Sequence, residues 1–173
     1  GHLDLVGMRS LSLARTDVLS DSLNALLRRM PNLTKLNLSF CIEVWDGFDL
    51  SDIKLDGLMS LNLDGAETPL IVLKYLLHHI SKLEVLNLAN YDQLDHAEDL
   101  DEFNFSTLKT LILDNCTLKP ETLKRILKAA PNLAFLSLEK ITLSGMKSED
   151  DIDEELHTLL QRVGVVNLSL HKG

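Results

Sequence analysis

The pattern apolar-x-x-Leu-x-Leu recurs at Met8/Leu11/Leu13, Leu33/Leu36/Leu38, Leu58/Leu61/Leu63, Leu83/Leu86/Leu88, Leu108/Leu111/Leu113 and Leu133/Leu136/Leu138, and every step between these six copies is 25 residues. A fixed period of this length means that each copy is one structural unit that cannot bury its own apolar face and must stack on its neighbour. The Leu-x-Leu alternation marks a short strand with one face buried, and the apolar residue three before it turns the chain into the core. A seventh copy, Val165/Leu168/Leu170, follows the sixth after a longer interval, and the extra length falls in the acidic stretch 144–155. The period therefore predicts an α/β solenoid with about seven parallel strands on its concave face, centred on Leu11–Leu13, Leu36–Leu38, Leu61–Leu63, Leu86–Leu88, Leu111–Leu113, Leu136–Leu138 and Leu168–Leu170.

A slower period, two copies long, governs the outer side. Leu23/Leu73/Leu123, Leu26/Leu76/Ile126 and Leu27/Leu77/Leu127 superpose at i, i+3, i+4 spacing, which predicts helices after the first, third and fifth strands. Pro69 and Pro120 stand at plausible first helical positions, and Pro31 and Pro131 end segments before the next strand. The second and fourth linkers superpose as Leu50/Leu100, Ile53/Phe103 and Leu55/Phe105 and read as extended or short 3₁₀ pieces. Residues 148–162, apolar at Ile152, Leu156, Leu159 and Leu160, should form a further helix.

From about Met8 to Leu170 these residues resemble the leucine-rich-repeat family. The column three residues after each Leu-x-Leu reads Thr16, Cys41, Ala66, Tyr91, Cys116, Ile141. The run Pro31-Asn32-Leu33-Thr34-Lys35-Leu36-Asn37-Leu38-Ser39-Phe40-Cys41 is similar to the cysteine-containing repeats of F-box substrate receptors. The alternation of helical and non-helical rungs is similar to ribonuclease-inhibitor-like repeats. The resemblance implies a right-handed horseshoe segment and protein recognition on its concave face or rim. Two settings follow: the substrate-recognition part of an F-box-type ubiquitin ligase adaptor, or a free-standing regulator or secreted bacterial effector whose repeats bind and occlude an enzyme.

With 173 residues, 45% of them hydrophobic, the chain fits one domain spanning 1–173. Gly1-His2 lacks an initiator Met and the last Leu-x-Leu lies at the C-terminus, so the chain reads as a piece of a longer solenoid without flanking caps. Its open C-terminal sheet edge invites end-to-end contact. A net charge of −9 argues against nucleic acid and against anionic membrane surfaces as partners. The longest apolar run, at Leu70–Leu73 and Tyr75–Leu77, is far shorter than the ~20 residues of a membrane span.

Candidate chemistry is sparse. Cys41 and Cys116 lie three rungs apart, about 14 Å at ~4.8 Å per strand, beyond the ~7 Å reach of a disulfide. They read as small buried residues in a reducing, cytoplasmic setting. Asn-x-Ser/Thr triplets begin at Asn32, Asn37, Asn104, Asn115 and Asn167, but most are by-products of the repeat. His78-His79 lacks the i, i+4 spacing of a metal motif, and the acids between Asp92 and Glu102 lack calcium-loop spacing and read as a solvated loop. No phosphate loop or catalytic motif is present, so no cofactor, metal or enzymatic activity is expected. What remains is the concave surface. Its predicted contact residues are Phe40, Asn62, Asp64, Asn87, Asn90, Asp114, Phe135 and Glu139, with Asp64, Asp114 and Glu139 as an acidic column for a protein partner bearing a basic patch. Ile112 also points outward, and Trp45 is weighed between partner contact and core packing.

Overall fold

The structure, a computed structural model, describes residues 4–49, 51, 55–165 and 168–170. Short strands recur where the period places them, β1 Ser10–Ser12, β2 Lys35–Asn37, β3 Ser60–Asn62, β4 Val85–Asn87, β5 Thr110–Ile112 and β7 Phe135–Ser137, and two further strands of two residues each stand between them or after them, β6 at Thr117–Leu118 and β8 at Thr142–Leu143. In the order β1-β2-β3-β4-β5-β7 they form one sheet of six strands. All its pairings are parallel, with Leu11, Leu36, Leu61, Leu86, Leu111 and Leu136 in register. Order in space thus follows order in sequence, as a solenoid requires.

Each of these six strands is centred on the first Leu of its motif, one residue earlier than expected. The second Leu follows the strand yet continues the ladder: Leu38 N–H donates to Asn62 O and Leu63 N–H to Asn87 O, both at 2.9 Å. One core runs through all the rungs and is built from the leucine columns, with Leu86, Leu111 and Leu113 fully buried. At the β1 end Leu11 and Leu13 are half-buried and Met8 is exposed, because β1 has a sheet neighbour on one side only.

The outer side alternates as the slower period predicts. Helices α1 Ser20–Arg28, α2 Leu70–His79 and α3 Pro120–Ala129 follow β1, β3 and β5, while 3₁₀ turns at Ile42–Trp45, Leu94–His96 and Leu100–Glu102 follow β2 and β4. Leu23, Leu73 and Leu123 are fully buried beneath the helices. Pro120 is the first residue of α3, but Pro69 stands just outside α2 as its N-cap, with extended ψ of 144°. Leu50 and Ile53 lie outside the described residues; their counterparts Leu100 and Phe103 are buried.

Strands β6 and β8 pair with each other in a small second sheet that the period does not announce. They arise because rungs five and six alone carry Thr-Leu after the Cys116/Ile141 column, a β-branched and an apolar residue side by side. Helix α4, Glu154–Arg162, packs on α3. Leu168 is buried, Ser169 exposed and Leu170 half-buried, the alternation of a seventh rung. Yet residues 168–170 form no strand, and the sheet among the described residues has six strands rather than seven. Val166, Asn167 and His171 of that rung lie outside the described residues. The extra length before it goes into a 3₁₀ turn at Glu149–Asp151, closed by a Ser148/Asp151 capping box, and into α4.

Candidate functional site

Alternation across the strands leaves two columns on the open face of the sheet: Ser10, Lys35, Ser60, Val85, Thr110, Phe135 before the central leucine, and Ser12, Asn37, Asn62, Asn87, Ile112, Ser137 after it. Register places Val85, Thr110 and Phe135 in one row and Ile112 between Asn87 and Ser137 in the other. Phe135 is 55% exposed, and Ile112 on the neighbouring strand and Val85 one strand further are half-buried, so the sheet presents apolar side chains over β4, β5 and β7. Packing inside the solenoid gains nothing from them. The expectation named Phe135 and noted Ile112 but did not name Val85, which stands in the same outward column as Phe135. Both columns carry the same outward signal.

The asparagines on this face hold the backbone. Asn37, Asn62 and Asn87 each accept, through Oδ1, the N–H two residues on, from Ser39 (2.9 Å), Asp64 (3.0 Å) and Ala89 (2.9 Å). These are Asx turns that shape the exit from the strand. Rung six has Ser137 in that column, and there Asp114 of the preceding rung supplies the acceptor: its Oδ1 takes the Glu139 N–H at 2.9 Å and the Ser137 hydroxyl at 2.6 Å. Asp64 accepts Asn90 Nδ2 at 2.8 Å. Of the three predicted column acids, Asp64 and Asp114 are thus engaged within the protein, while Glu139 is exposed.

Beyond each strand one residue per rung takes left-handed backbone: Arg15 (φ 61°), Phe40 (59°), Gly65 (62°), Asn90 (59°), Asn115 (58°) and Lys140 (56°). This row forms a lip beside the open face. Phe40 is 37% exposed; its ring lies over Gly65, and the Arg15 guanidinium sits 4.4 Å from its centroid. Phe40 and Asn90 therefore belong to the lip, whereas Asn62, Asn87 and Phe135 belong to the sheet.

Trp45 is a core residue. It is buried, edge-on to Phe48 at 5.1 Å, and its Nε1–H donates to Ala66 O at 2.6 Å. The Cys column points inward: Cys41 Sγ–H donates to Leu13 O at 2.8 Å and Cys116 Sγ–H to Leu88 O at 3.3 Å. Both thiols are free, and burial pushes Cys116 up to about 11, so it stays protonated and unreactive near neutrality. Tyr91, in the same column, is shifted upward by burial and donates its hydroxyl to Thr68 O at 2.7 Å.

The acids between Asp92 and Glu102 do more than solvate a loop. Lys74 of α2 pairs with Asp99 at 2.5 Å and Glu102 at 2.8 Å, Arg125 of α3 pairs with Asp101 at 3.2 Å, and Asp95 accepts the Lys119 N–H at the start of α3 at 3.0 Å. Among the described residues no three His, Cys, Asp or Glu side chains gather closely enough to hold a metal ion, and no helix is long and apolar enough to cross a membrane.

A parallel sheet of in-register Leu-x-Leu rungs, backed by alternating helices and 3₁₀ turns, defines a leucine-rich-repeat-like fold. Among solved structures, that of a TLR13–ssRNA13 complex matches this chain with a TM-score of 0.56 at 21% identity, over 84% of this chain and 20% of that one. TLR13 is itself a leucine-rich-repeat protein, and the likeness supports the fold without the cysteine-containing subtype. The chain spans about a fifth of the length of that match. No family model and no curated protein matches.

This comparison corrects the expectation that nucleic acid is excluded. The matched structure is a complex with single-stranded RNA, so the fold itself is no bar. Net charge is also a poor guide to a local surface: despite −9 overall, Arg9, Lys35 and Lys109 beside the open face and Arg15 and Lys140 on the lip are all exposed.

Proposed function

We propose that this chain is a non-catalytic module that binds another protein across the open, concave face of its sheet. One observation carries the reading: Phe135, Ile112 and Val85 put apolar side chains on the last three strands of an otherwise polar sheet face, where the repeat needs no apolar side chain. Anchors of this kind ringed by polar groups are the usual layout of a protein interface. Phe40 on the lip and the predicted Asn62, Asp64, Asn87, Asn90, Asp114 and Glu139 form the surrounding rim. The right-handed turn of the solenoid follows from the general rule for parallel strand–helix–strand connections. The buried, free thiols favour a reducing, cytoplasmic setting. Within that setting the cysteine rungs favour the substrate-recognition part of an F-box-type adaptor over an enzyme-occluding effector.

The test is capture from nuclease-treated lysate of the source cells on immobilised chain, beside a Phe135→Ser/Ile112→Ser variant, with labelled random single-stranded RNA titrated in parallel. A protein held by the parent and bound at least tenfold more weakly by the variant, about 1.4 kcal/mol, supports the reading. Capture unchanged by the variant, or tight RNA binding in place of a protein, overturns it.

A further inference from the structure

Helices α1, α2 and α3 stand at equivalent places, each two rungs after the last, so each position on one has a counterpart on the others. On the outward side α1 carries Asp21, Ala25 and Arg28 and α3 carries Glu121, Arg125 and Lys128, whereas α2 carries Ile71, Tyr75 and His78. Ile71 is 75% exposed, and the Tyr75 ring stacks on His79 with centroids 3.7 Å apart. The linker before α2 departs in the same sense: Phe48 and Ser51 stand where the next double rung has Glu98 and Asp101. Together these side chains wall a groove of about 530 Å³ on the outer side. The repeat does not require it, because α1 covers the same core with Asp21, Ala25 and Arg28 at these positions and α3 with Glu121, Arg125 and Lys128. An exposed apolar patch that its own repeat treats as optional marks a contact with something outside the chain.

The charges bordering the groove indicate what covers it. On the α1 side Arg28 and Arg29 are exposed and outnumber the groove-lining Asp49; on the other side lie the exposed acids Glu98, Asp99, Asp101 and Glu102, which outnumber the cations Lys74 and Arg125 that pair with Asp99, Glu102 and Asp101, so that border stays acidic. Arg28 is the counterpart of His78, and His78 Nε2 lies 2.7 Å from Glu102 O, so the basic and acidic borders sit at one level along the helix on opposite sides of α2. A two-fold axis parallel to α2 exchanges these borders. It sets Arg28 of one copy against Glu102 of the other while Ile71 and Tyr75 of both meet in the middle. We propose that this groove is a self-association surface and that its occupant is a second copy of the same chain.

Sedimentation velocity from about 1 to about 500 µM, a range that detects micromolar to weak self-affinity, tests this. The parent's average mass should climb from one chain towards two. Ile71→Glu/Tyr75→Arg, which gives α2 the residues α3 carries, should stay monomeric with its helical circular dichroism intact. Arg28→Glu alone should weaken association roughly tenfold, and adding Glu102→Arg should restore it, a recovery that misfolding cannot produce. A parent that is monomeric throughout, an Ile71→Glu/Tyr75→Arg variant that associates like the parent, or a charge swap without recovery overturns the proposal.

Discussion

At the scale of single residues, the lip shows how a repeat tolerates local cost. Six rungs turn through left-handed backbone, and glycine fills the position only at Gly65. A side chain other than Gly, Asn or Asp in that region costs about 1 kcal/mol or somewhat more. Gly65 has a second reason to be glycine, since a Cβ there would lie 2.3 Å from the Phe40 ring. Gly65→Ala should therefore lose roughly 1–3 kcal/mol in denaturant melts, combining backbone strain with displacement of the ring. In a Phe40→Ala background the same substitution should cost only the backbone part. Equal losses in both backgrounds would show that ring and glycine are not coupled. Sequence pattern reveals that Asn62, Asn87 and Asp114 face outward. It does not reveal that their oxygens are occupied by backbone N–H groups, because an outward asparagine has the same spacing whether it awaits a partner or closes a turn.

Elements on the outer side are joined by one recurring position. Asn24, Lys74 and Lys124 are equivalent in α1, α2 and α3, and each reaches the next segment: Asn24 Nδ2 donates to Asp49 O at 3.3 Å, Lys74 pairs with Asp99, and Lys124 pairs with Asp153, the N-cap of α4. The Lys124 pair holds the Asp153 carboxyl below its ordinary 3.8, helped by the Leu156 N–H that it accepts. Asp153 raises Lys124 in turn. A carboxylate with a depressed folded pKa contributes stability above its unfolded value, and that contribution is lost as pH falls through the folded value. A raised lysine contributes below its unfolded value and loses it as pH rises through the folded one. The α3–α4 latch should thus be intact between about pH 5 and about pH 10. Melting temperature of Asp153→Asn, followed from pH 7 to pH 2, should begin lower than the parent's and converge on it in acid. A gap that persists at pH 2 would assign the loss to the cap bond or to packing instead of charge. The helices were legible because their leucines keep i, i+3, i+4 spacing through three copies. The latches were not, since an acid paired with a lysine one rung away looks the same in sequence as one facing water.

For the whole molecule, the period decides most of what can be foreseen. Placing Leu86 in the central rungs requires only counting, and it is fully buried. Leu86→Ala should cost roughly 2–5 kcal/mol through the cavity it leaves, measured by urea unfolding; a loss well under 1 kcal/mol would place Leu86 outside the core. Where the count slips, so does the prediction, as at the rung that follows the longer spacing.

That longer spacing has a bearing on how such a chain can grow. Everywhere before it a helix is followed by a thin 3₁₀ segment, so neighbouring helices stand two rungs apart; α3 and α4 are the one successive pair among the described residues, and there the rung is longer than the period. A gene that duplicates or loses two rungs at a time keeps helix and thin segment in step. One that changes by a single rung sets two helices, or two thin segments, side by side without the additional length that the α3–α4 junction uses. Lengthening by unequal recombination should therefore favour even numbers of rungs, making the pair of rungs the heritable unit of this architecture.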